Sequence, residues 1–130
     1  MKHLLTEYCA SLGIDQVGIA PACLYTKVGE KLEQRIARGH TIEFDELRTE
    51  KRIDPRLYFA DAQAVIVCLF PYYTGTAAGA NLSKYTYALD YHHIIKRKLD
   101  AIGCYLKSQD PHFEWQSHCD TGPLVDRYLA

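Results

Sequence analysis

The sequence lacks three features that would assign it at once to a familiar class of protein. Its five cysteines include no C-x-x-C pair of the kind that binds zinc or an iron–sulfur cluster. Its 15 basic and 16 acidic side chains give a net charge of −1, without the basic excess of an autonomous nucleic-acid-binding protein. Its longest apolar run, "AVIVCLF", is too short to span a bilayer. We therefore expect no membrane partner and no metal site built from clustered cysteines.

The cysteines are also too few and too scattered for a disulfide scaffold. They lie at positions 9, 23, 68, 104 and 119, an odd number that is typical of a reducing compartment. The N-terminal stretch "MKHLLTEYCASLG" is amphipathic and contains Glu7, which a signal peptide would not. These observations predict a cytoplasmic protein without disulfides.

What is present is an ordinary globular composition with clear helix and strand patterns. The chain has 130 residues, 48% of them hydrophobic and 24% charged, which suits one domain with a core. Apolar residues at helical spacing predict two helices that end at Gly13 and Gly39. "DQVGIAP" between them reads as a short strand that ends at Pro21. The unbroken run Ala64–Phe70 predicts a central strand buried on both faces.

The remaining elements are predicted from turn and cap signals. Asp54-Pro55 marks a turn or a helix start, and the charged segment around Phe44 and Leu47 predicts a helical turn or two. Asp90 is expected to cap a long helix that Asp110-Pro111 ends, and "HFEWQSHC" reads as a third strand. A Cys119–Gly122 turn then leads to Pro123 as the first residue of a final helix. This order predicts an α/β fold, an α+β sandwich with helices packed on a small mixed sheet that this chain supplies only in part.

Two stretches carry chemistry, and each also has a purely structural interpretation. "YTYALDYHHIIKRKL" is either a capped helix with surface histidines or the rim of a cofactor pocket, because its residues include Tyr85, Tyr87, Asp90, Tyr91, His92 and His93. Adjacent helical histidines point about 100° apart, so they do not predict a shared metal ion. Asp120 in "CDTGPLVDR" lies between a predicted strand and a predicted helix. It either caps that helix or acts as a proton donor.

The same stretches resemble one known family. "SKYTYALDYHHIIKRKL" is similar to a Y-A-x-G-x-D-Y-H motif followed by a basic helix, and "CDTGPLVDR" to a D-T-x-P-x-x-E-R motif. "RIDPRLYFADAQAVIVCLFPYY" resembles an R-x-D-P segment before a buried strand. Together, and in this order, they resemble the N-terminal domain of tRNA epoxyqueuosine reductases, which are cobalamin-dependent iron–sulfur enzymes. The resemblance implies that residues 1–130 form part of a nitroreductase-like cobalamin-binding domain.

The family reduces epoxyqueuosine to queuosine in tRNA, so the resemblance implies a tRNA substrate. It assigns the catalytic acid to Asp120, and contacts with the corrin ring to Arg52, Ser83, Asp120 and Arg127. The ferredoxin-like domain that holds two 4Fe-4S clusters in the family has no counterpart in this sequence. We therefore expect the reading frame to continue beyond Ala130, and this chain alone to be inactive and to bind neither cobalamin nor a cluster. An apolar face left uncovered in this way predicts self-association as a dimer.

Two departures from the family motifs keep an alternative open. Thr86-Tyr87-Ala88-Leu89 replaces the Ala-x-Gly that precedes D-Y-H, and Asp126 replaces the glutamate before the last arginine. The alternative is a free-standing or diverged cobalamin-binding or interaction module without redox activity. Two four-cysteine runs downstream of Ala130 would favour the enzyme, and a stop codon the module.

Overall fold

The computed structural model describes residues 2–43, 46–71, 90–120 and 122–129, apart from the side chains of residues 126 and 127. The chain divides into two compact units, Met1–Val17 with Cys68–Cys119 and Gly18–Val67 with Asp120–Ala130. The elements in chain order are α1 (Lys2–Ser11), β1 (Gln16–Pro21), α2 (Thr26–Ala37), α3 (Glu50–Ile53), a 3₁₀ helix (Pro55–Leu57), β2 (Ala64–Leu69), α4 (Tyr91–Gln109) and α5 (Asp126–Leu129). No helix in these ranges has the length and apolarity needed to cross a membrane.

The predicted helix ends are confirmed where glycine or aspartate sets them. Gly13 and Gly39 follow α1 and α2 with φ values of +72° and +68°, the left-handed conformation in which glycine ends helices. Asp54 accepts a hydrogen bond from the Arg56 N–H at 3.0 Å and so caps the 3₁₀ helix. The predicted turn or helix start at Asp54-Pro55 is therefore confirmed. The helical turn expected around Phe44 and Leu47 is not confirmed, because residues 46–48 are irregular and α3 begins only at Glu50, while Phe44 lies outside the described residues.

The sheet in the described residues has two strands, β1 and β2. The Ala22 N–H donates to the Gln63 carbonyl at 3.0 Å, which places the end of β1 beside the start of β2. The two strands are therefore antiparallel. Helices with a small sheet confirm the predicted mixed α/β class.

The prediction that the central strand is buried on both faces is wrong. β2 ends at Leu69 rather than Phe70, and both Ala64 and Leu69 are exposed. The side chains between them are only half-buried, namely Val65, Ile66, Val67 and Cys68. A continuous apolar run indicates a strand, but the cover on its faces depends on neighbouring elements, and β1 alone pairs with it in the described part of the chain.

The core of the first unit lies between α1 and α4. Its buried apolar side chains are Leu5, Cys9, Ile14, Ile102 and Leu106. At the edge of this core the Tyr8 and Tyr105 rings stack at 4.1 Å between centroids with an interplanar angle of 6°. The Lys98 Nζ donates to the Leu12 carbonyl at 2.7 Å, so it satisfies a carbonyl just after α1 and places a cation at the negative end of that helix.

The second unit is built around the contact of α2 with α3. Val28 and Ile53 are buried there, and the Tyr25 N–H donates to the Ile53 carbonyl at 2.9 Å. Tyr25 also donates through its hydroxyl to the Pro21 carbonyl at 2.7 Å. The ring of Tyr128, in α5, lies 6.0 Å from the Tyr25 ring between centroids. These contacts tie the last helix to the start of α2.

Two predictions for the C-terminal part are wrong. The segment 112–119 is not a strand, and α5 begins at Asp126 rather than at Pro123. The alternation that suggested a strand is real, because every second side chain from Phe113 to Cys119 is half-buried and those between are exposed. These side chains lie against a helix instead of pairing with a strand.

Candidate functional site

The segment Phe113–Cys119 lies along α4 in a fixed register. A Cβ added at Gly103 would lie 2.2 Å from Trp115 Cε2, so the indole ring occupies the space of the missing side chain. The Trp115 Nε1 lies 3.5 Å from Asp100 Oδ1, and the Ser117 hydroxyl donates to the same oxygen at 2.7 Å. Lys96 lies further along α4, and its Nζ donates to the Ser117 Oγ at 3.2 Å.

The register follows from two repeat lengths that are nearly equal. Two residues of extended chain advance about 6.6 Å, and four residues of α-helix advance about 6 Å. Trp115 contacts Asp100 and Ser117 contacts Lys96, four residues earlier in α4, so the next step along the segment meets His92 in the first turn of the helix. A ring nitrogen of His92 and the Sγ of Cys119 do lie within 4.8 Å of each other. The segment thus carries Cys119 to the beginning of α4.

Asp100 is the carboxylate that connects the segment to the helix. The hydrogen bond from Ser117 is the main reason that the pKa of Asp100 lies below its usual value, with smaller contributions from Trp115 and Lys96. The Lys96 Nζ also lies 3.5 Å from Asp100 Oδ2. The ionised carboxylate accepts a hydrogen bond from the serine hydroxyl and lies close to the lysine ammonium group. These two contacts hold the segment against α4.

The first turn of α4 holds an oriented histidine. Asp90 Oδ1 accepts from the His92 N–H at 3.0 Å and lies 2.8 Å from His92 Nδ1, which confirms Asp90 as the helix cap. The hydrogen bonds from His92 lower the pKa of Asp90. The Tyr91 ring stacks on the imidazole at 4.1 Å between centroids, and His93 is exposed. A carboxylate at Nδ1 fixes the orientation of the imidazole ring.

Asp120 follows Cys119 directly and has an unusual backbone. It is exposed, and its φ of +56° lies in the left-handed region, which aspartate tolerates better than most residues. The prediction that Asp120 lies between a strand and the start of a helix is wrong, because residues 112–119 form no strand and α5 starts six residues later, at Asp126. Capping of α5 therefore does not explain an aspartate at this position.

Two of the predicted corrin contacts, Arg52 and Asp120, lie among the described residues. Arg52 is half-buried in α3 and lines a depression with a volume of about 10 Å³, room for about one water molecule. The other residues that line it are Leu32, Arg35, Ile36, Thr41, Glu46, Leu47 and Thr49. Ser83 and the side chain of Arg127 lie outside the described residues. This depression is too small to enclose a corrin ring by itself, so the chemistry proposed below rests on the chain's own residues.

Sequence reasoning named His92 only among the residues of a cofactor-pocket rim, and it missed the part that Asp100, Ser117 and Cys119 play in this site. The signal was present as two matching series. His92, Lys96 and Asp100 repeat every four residues in a helix, while the half-buried side chains of the segment repeat every two. Neither series alone indicates that the side chains of the helix and those of the segment lie against each other.

Comparisons with known proteins assign the chain to a family. A family model described as epoxyqueuosine reductase QueG, DUF1730, matches residues 52–121. Epoxyqueuosine reductase of Bacillus subtilis (strain 168) is 28% identical over 139 residues, which cover 100% of this chain and 36% of the relative. The chain thus spans little more than a third of that relative's length.

Solved structures agree. A crystal structure of epoxyqueuosine reductase with a tRNA-Tyr epoxyqueuosine-modified tRNA stem loop matches with a TM-score of 0.83 and 28% identity, over 98% of this chain and 36% of that one. A Bacillus subtilis epoxyqueuosine reductase with its catalytic aspartate loop swung out of the active site matches with a TM-score of 0.77 and 25% identity, over the same shares of the two chains. Since the family model covers more than half of the chain and includes both the D-Y-H residues and Asp120, the chain belongs to the epoxyqueuosine reductase family.

Proposed function

We propose that this chain supplies part of the active site of an enzyme that reduces epoxyqueuosine to queuosine in tRNA. Family membership and the relative solved with an epoxyqueuosine-modified tRNA stem loop support this proposal. The chain spans 36% of that relative, so we assign to it a share of the catalytic groups rather than the whole reaction. A tRNA-modifying enzyme of this kind acts in the cytoplasm.

In this proposal Asp120 is the catalytic acid. Removal of the epoxide oxygen as water consumes two electrons and two protons and leaves a carbon–carbon double bond. Asp120 delivers one of these protons to the departing oxygen, a contribution of roughly 10²–10⁴-fold to the rate. The observation that carries the assignment is the register on α4, which brings Cys119, the residue before Asp120, to His92. That the catalytic loop of the Bacillus subtilis structure carries an aspartate also supports the assignment.

The cofactors are proposed from the resemblance alone. Cobalamin and two 4Fe-4S clusters would supply the electrons in the intact enzyme, and Arg52, Ser83 and Arg127 would contact the corrin ring. The depression beside Arg52, at about 10 Å³, does not itself accommodate that ring. An absorbance titration of this chain with hydroxocobalamin tests the assignment. We expect no saturable spectral change with the isolated chain, and saturable binding by the protein from the complete reading frame.

Asp120→Asn in the protein from the complete reading frame tests the acid. Asparagine tolerates the left-handed φ of +56° as well as aspartate does, so the variant keeps the backbone and removes only the transferable proton. Asp61→Asn, at another exposed position, is the matched control. We expect Asp120→Asn to lower the turnover of epoxyqueuosine-containing tRNA by roughly 10²–10⁴-fold with unchanged tRNA affinity. Turnover close to that of the Asp61→Asn control would refute the acid role.

We also propose that the isolated chain self-associates. Among the described residues of the second unit, three large apolar side chains are more than half exposed, with Ile42 at 65%, Leu57 at 59% and Leu47 at 56%. Exposed apolar surface of this kind favours association. Sedimentation velocity over a range of concentrations should show a dimer, and a monomer mass at high concentration would contradict the proposal.

A further inference from the structure

α2 carries its basic side chains along one line of its surface. Lys27, Lys31, Arg35 and Arg38 are all exposed and follow a spacing of i, i+4, i+8 and i+11. At about 100° per residue these positions fall within an arc of about 80°, so they form a continuous strip that we call the basic ridge. Successive members from Lys27 to Arg35 lie about 6 Å apart along the helix axis.

The other faces of α2 carry different chemistry. Val28, Leu32 and Ile36 are buried or half-buried on the face next to the ridge. Glu30 and Glu33, the acidic residues of this helix, lie beyond the ridge on the far side from that apolar face. The helix therefore separates its cations from its carboxylates instead of alternating them, although alternation would stabilise it through i, i+4 ion pairs.

Three of the four ridge cations have no neutralising partner among the described residues. Among the described residues, no carboxylate lies within ion-pair distance of Lys27, Lys31 or Arg38. Arg35 donates through Nε to the His40 carbonyl, which fixes the guanidinium at the end of the helix. Lys27 with Lys31, and Lys31 with Arg35, are like-charge i, i+4 pairs, which destabilise a helix in isolation. A polyanion laid along the ridge would relieve that repulsion.

We propose that the basic ridge of α2 binds the phosphodiester backbone of the RNA substrate. The inference rests on the proposed function, which supplies the RNA, and adds the surface that holds it. A line of cations at a regular spacing suits a polymer with regularly spaced charges, and contacts to phosphates position a nucleic acid without reading its sequence. The chain's net charge of −1 excludes a general attraction, so the effect depends on the local arrangement.

The test measures binding of a fluorescently labelled, unmodified anticodon stem–loop RNA to this chain by anisotropy, over a series of salt concentrations. Lys27→Gln with Lys31→Gln removes two ridge cations. Lys2→Gln with Arg97→Gln removes two exposed cations from other helices and gives the same net charge. Lys31→Glu with Glu33→Lys keeps composition and net charge but interrupts the ridge.

We expect the plot of log affinity against log salt to lose about 1.4–1.8 units of slope in the Lys27/Lys31 variant, since each phosphate contact contributes about 0.7–0.9. The Lys2/Arg97 variant should keep the slope, and the charge exchange should lose at least 1 unit. Equal slopes in the Lys27/Lys31 and Lys2/Arg97 variants would overturn the proposal. So would the absence of salt-dependent RNA binding by the unmodified chain, or equal binding to vesicles of anionic lipid.

The RNA probe contains no epoxyqueuosine, and the assay needs no cofactor. Failure of the ridge in this assay therefore leaves the Asp120→Asn turnover test unaffected. Conversely, a normal rate in that turnover test would leave the ridge result in place. The two proposals fail separately.

Discussion

Substitution of Gly103 by alanine tests the register on which the candidate site depends. The new Cβ would lie 2.2 Å from Trp115 Cε2 and 2.4 Å from both Cδ2 and Nε1. Ordinary carbon contacts are about 3.5–4.0 Å, so a rigid ring must move by more than about 1 Å. Alanine gains about 1 kcal/mol of helix propensity over glycine, while overpacking costs about 1–3 kcal/mol. Because the whole ring is blocked, we expect a net loss of about 1–2 kcal/mol in the free energy of unfolding.

Trp115 is the only tryptophan of the chain, so its fluorescence reports on the contact directly. We expect Gly103→Ala to shift the emission to longer wavelength and to lower the midpoint of urea denaturation. Gly18→Ala is the control, since a Cβ at Gly18 meets no atom within 4 Å.

The decisive comparison removes the ring. In a Trp115→Ala background the clash is gone, so Gly103→Ala should become stabilising by about 1 kcal/mol through helix propensity alone. Circular dichroism follows unfolding in that background, where tryptophan is absent. If Gly103→Ala destabilises both backgrounds equally, the indole does not fill the space beside Gly103, and the register argument is wrong.

Three further results are expected. The Ser117 hydrogen bond lowers the pKa of Asp100 from 3.8. The stabilisation that this hydrogen bond provides is therefore present above the unfolded-state pKa of Asp100 and is lost as pH falls through the folded-state pKa. Asp100→Asn should make the midpoint of urea denaturation depend less on pH between about pH 5 and 3. Burial raises the pKa of Cys68 to about 12, so iodoacetamide should label the exposed Cys104 first and Cys68 only after unfolding, as mass spectrometry can show. Lys98→Met removes the donor to a carbonyl after α1 and should cost about 1–2 kcal/mol in chemical denaturation, with faster amide exchange in α1.

The signals that predicted the fold correctly are local ones. Gly13 and Gly39 end helices because their own backbone adopts a left-handed φ, and Asp54 and Asp90 cap helices because their side chains reach an N–H two residues ahead. Such features depend on a few consecutive residues, so the sequence contains all the information that they require.

The wrong predictions concern which distant residues pack against a strand or an extended segment. The apolar run at β2 indicates a strand but does not supply a cover for Val65 or Val67, which are half-buried. The alternation around Trp115 is that of an extended chain, yet its partner is a helix. Burial and pairing depend on residues far away in the sequence, and period alone does not identify them.

The candidate site shows the same division. Resemblance to the family identified Asp120, but its left-handed φ was not predictable from the motif. The expectation of a helix at Pro123 failed because proline favours a first helical turn without requiring one. The neighbours His92 and Cys119 are 27 positions apart, and the hydrogen bonds of Asp100 bring their two segments side by side.

The near equality of the repeat lengths of the extended segment and of α4 also limits which insertions and deletions the segment before Asp120 can accept. Surface connections usually accept insertions and deletions easily. Here the loss of one residue between Trp115 and Cys119 would turn the side chains beyond it to the opposite side, so that His118 and Cys119 would exchange their directions. A two-residue insertion would preserve direction but displace Cys119 by about 6.6 Å, roughly one helical turn past His92. The spacing between Trp115 and Asp120 should therefore be conserved in length even where the exposed residues Glu114, Gln116 and His118 vary freely.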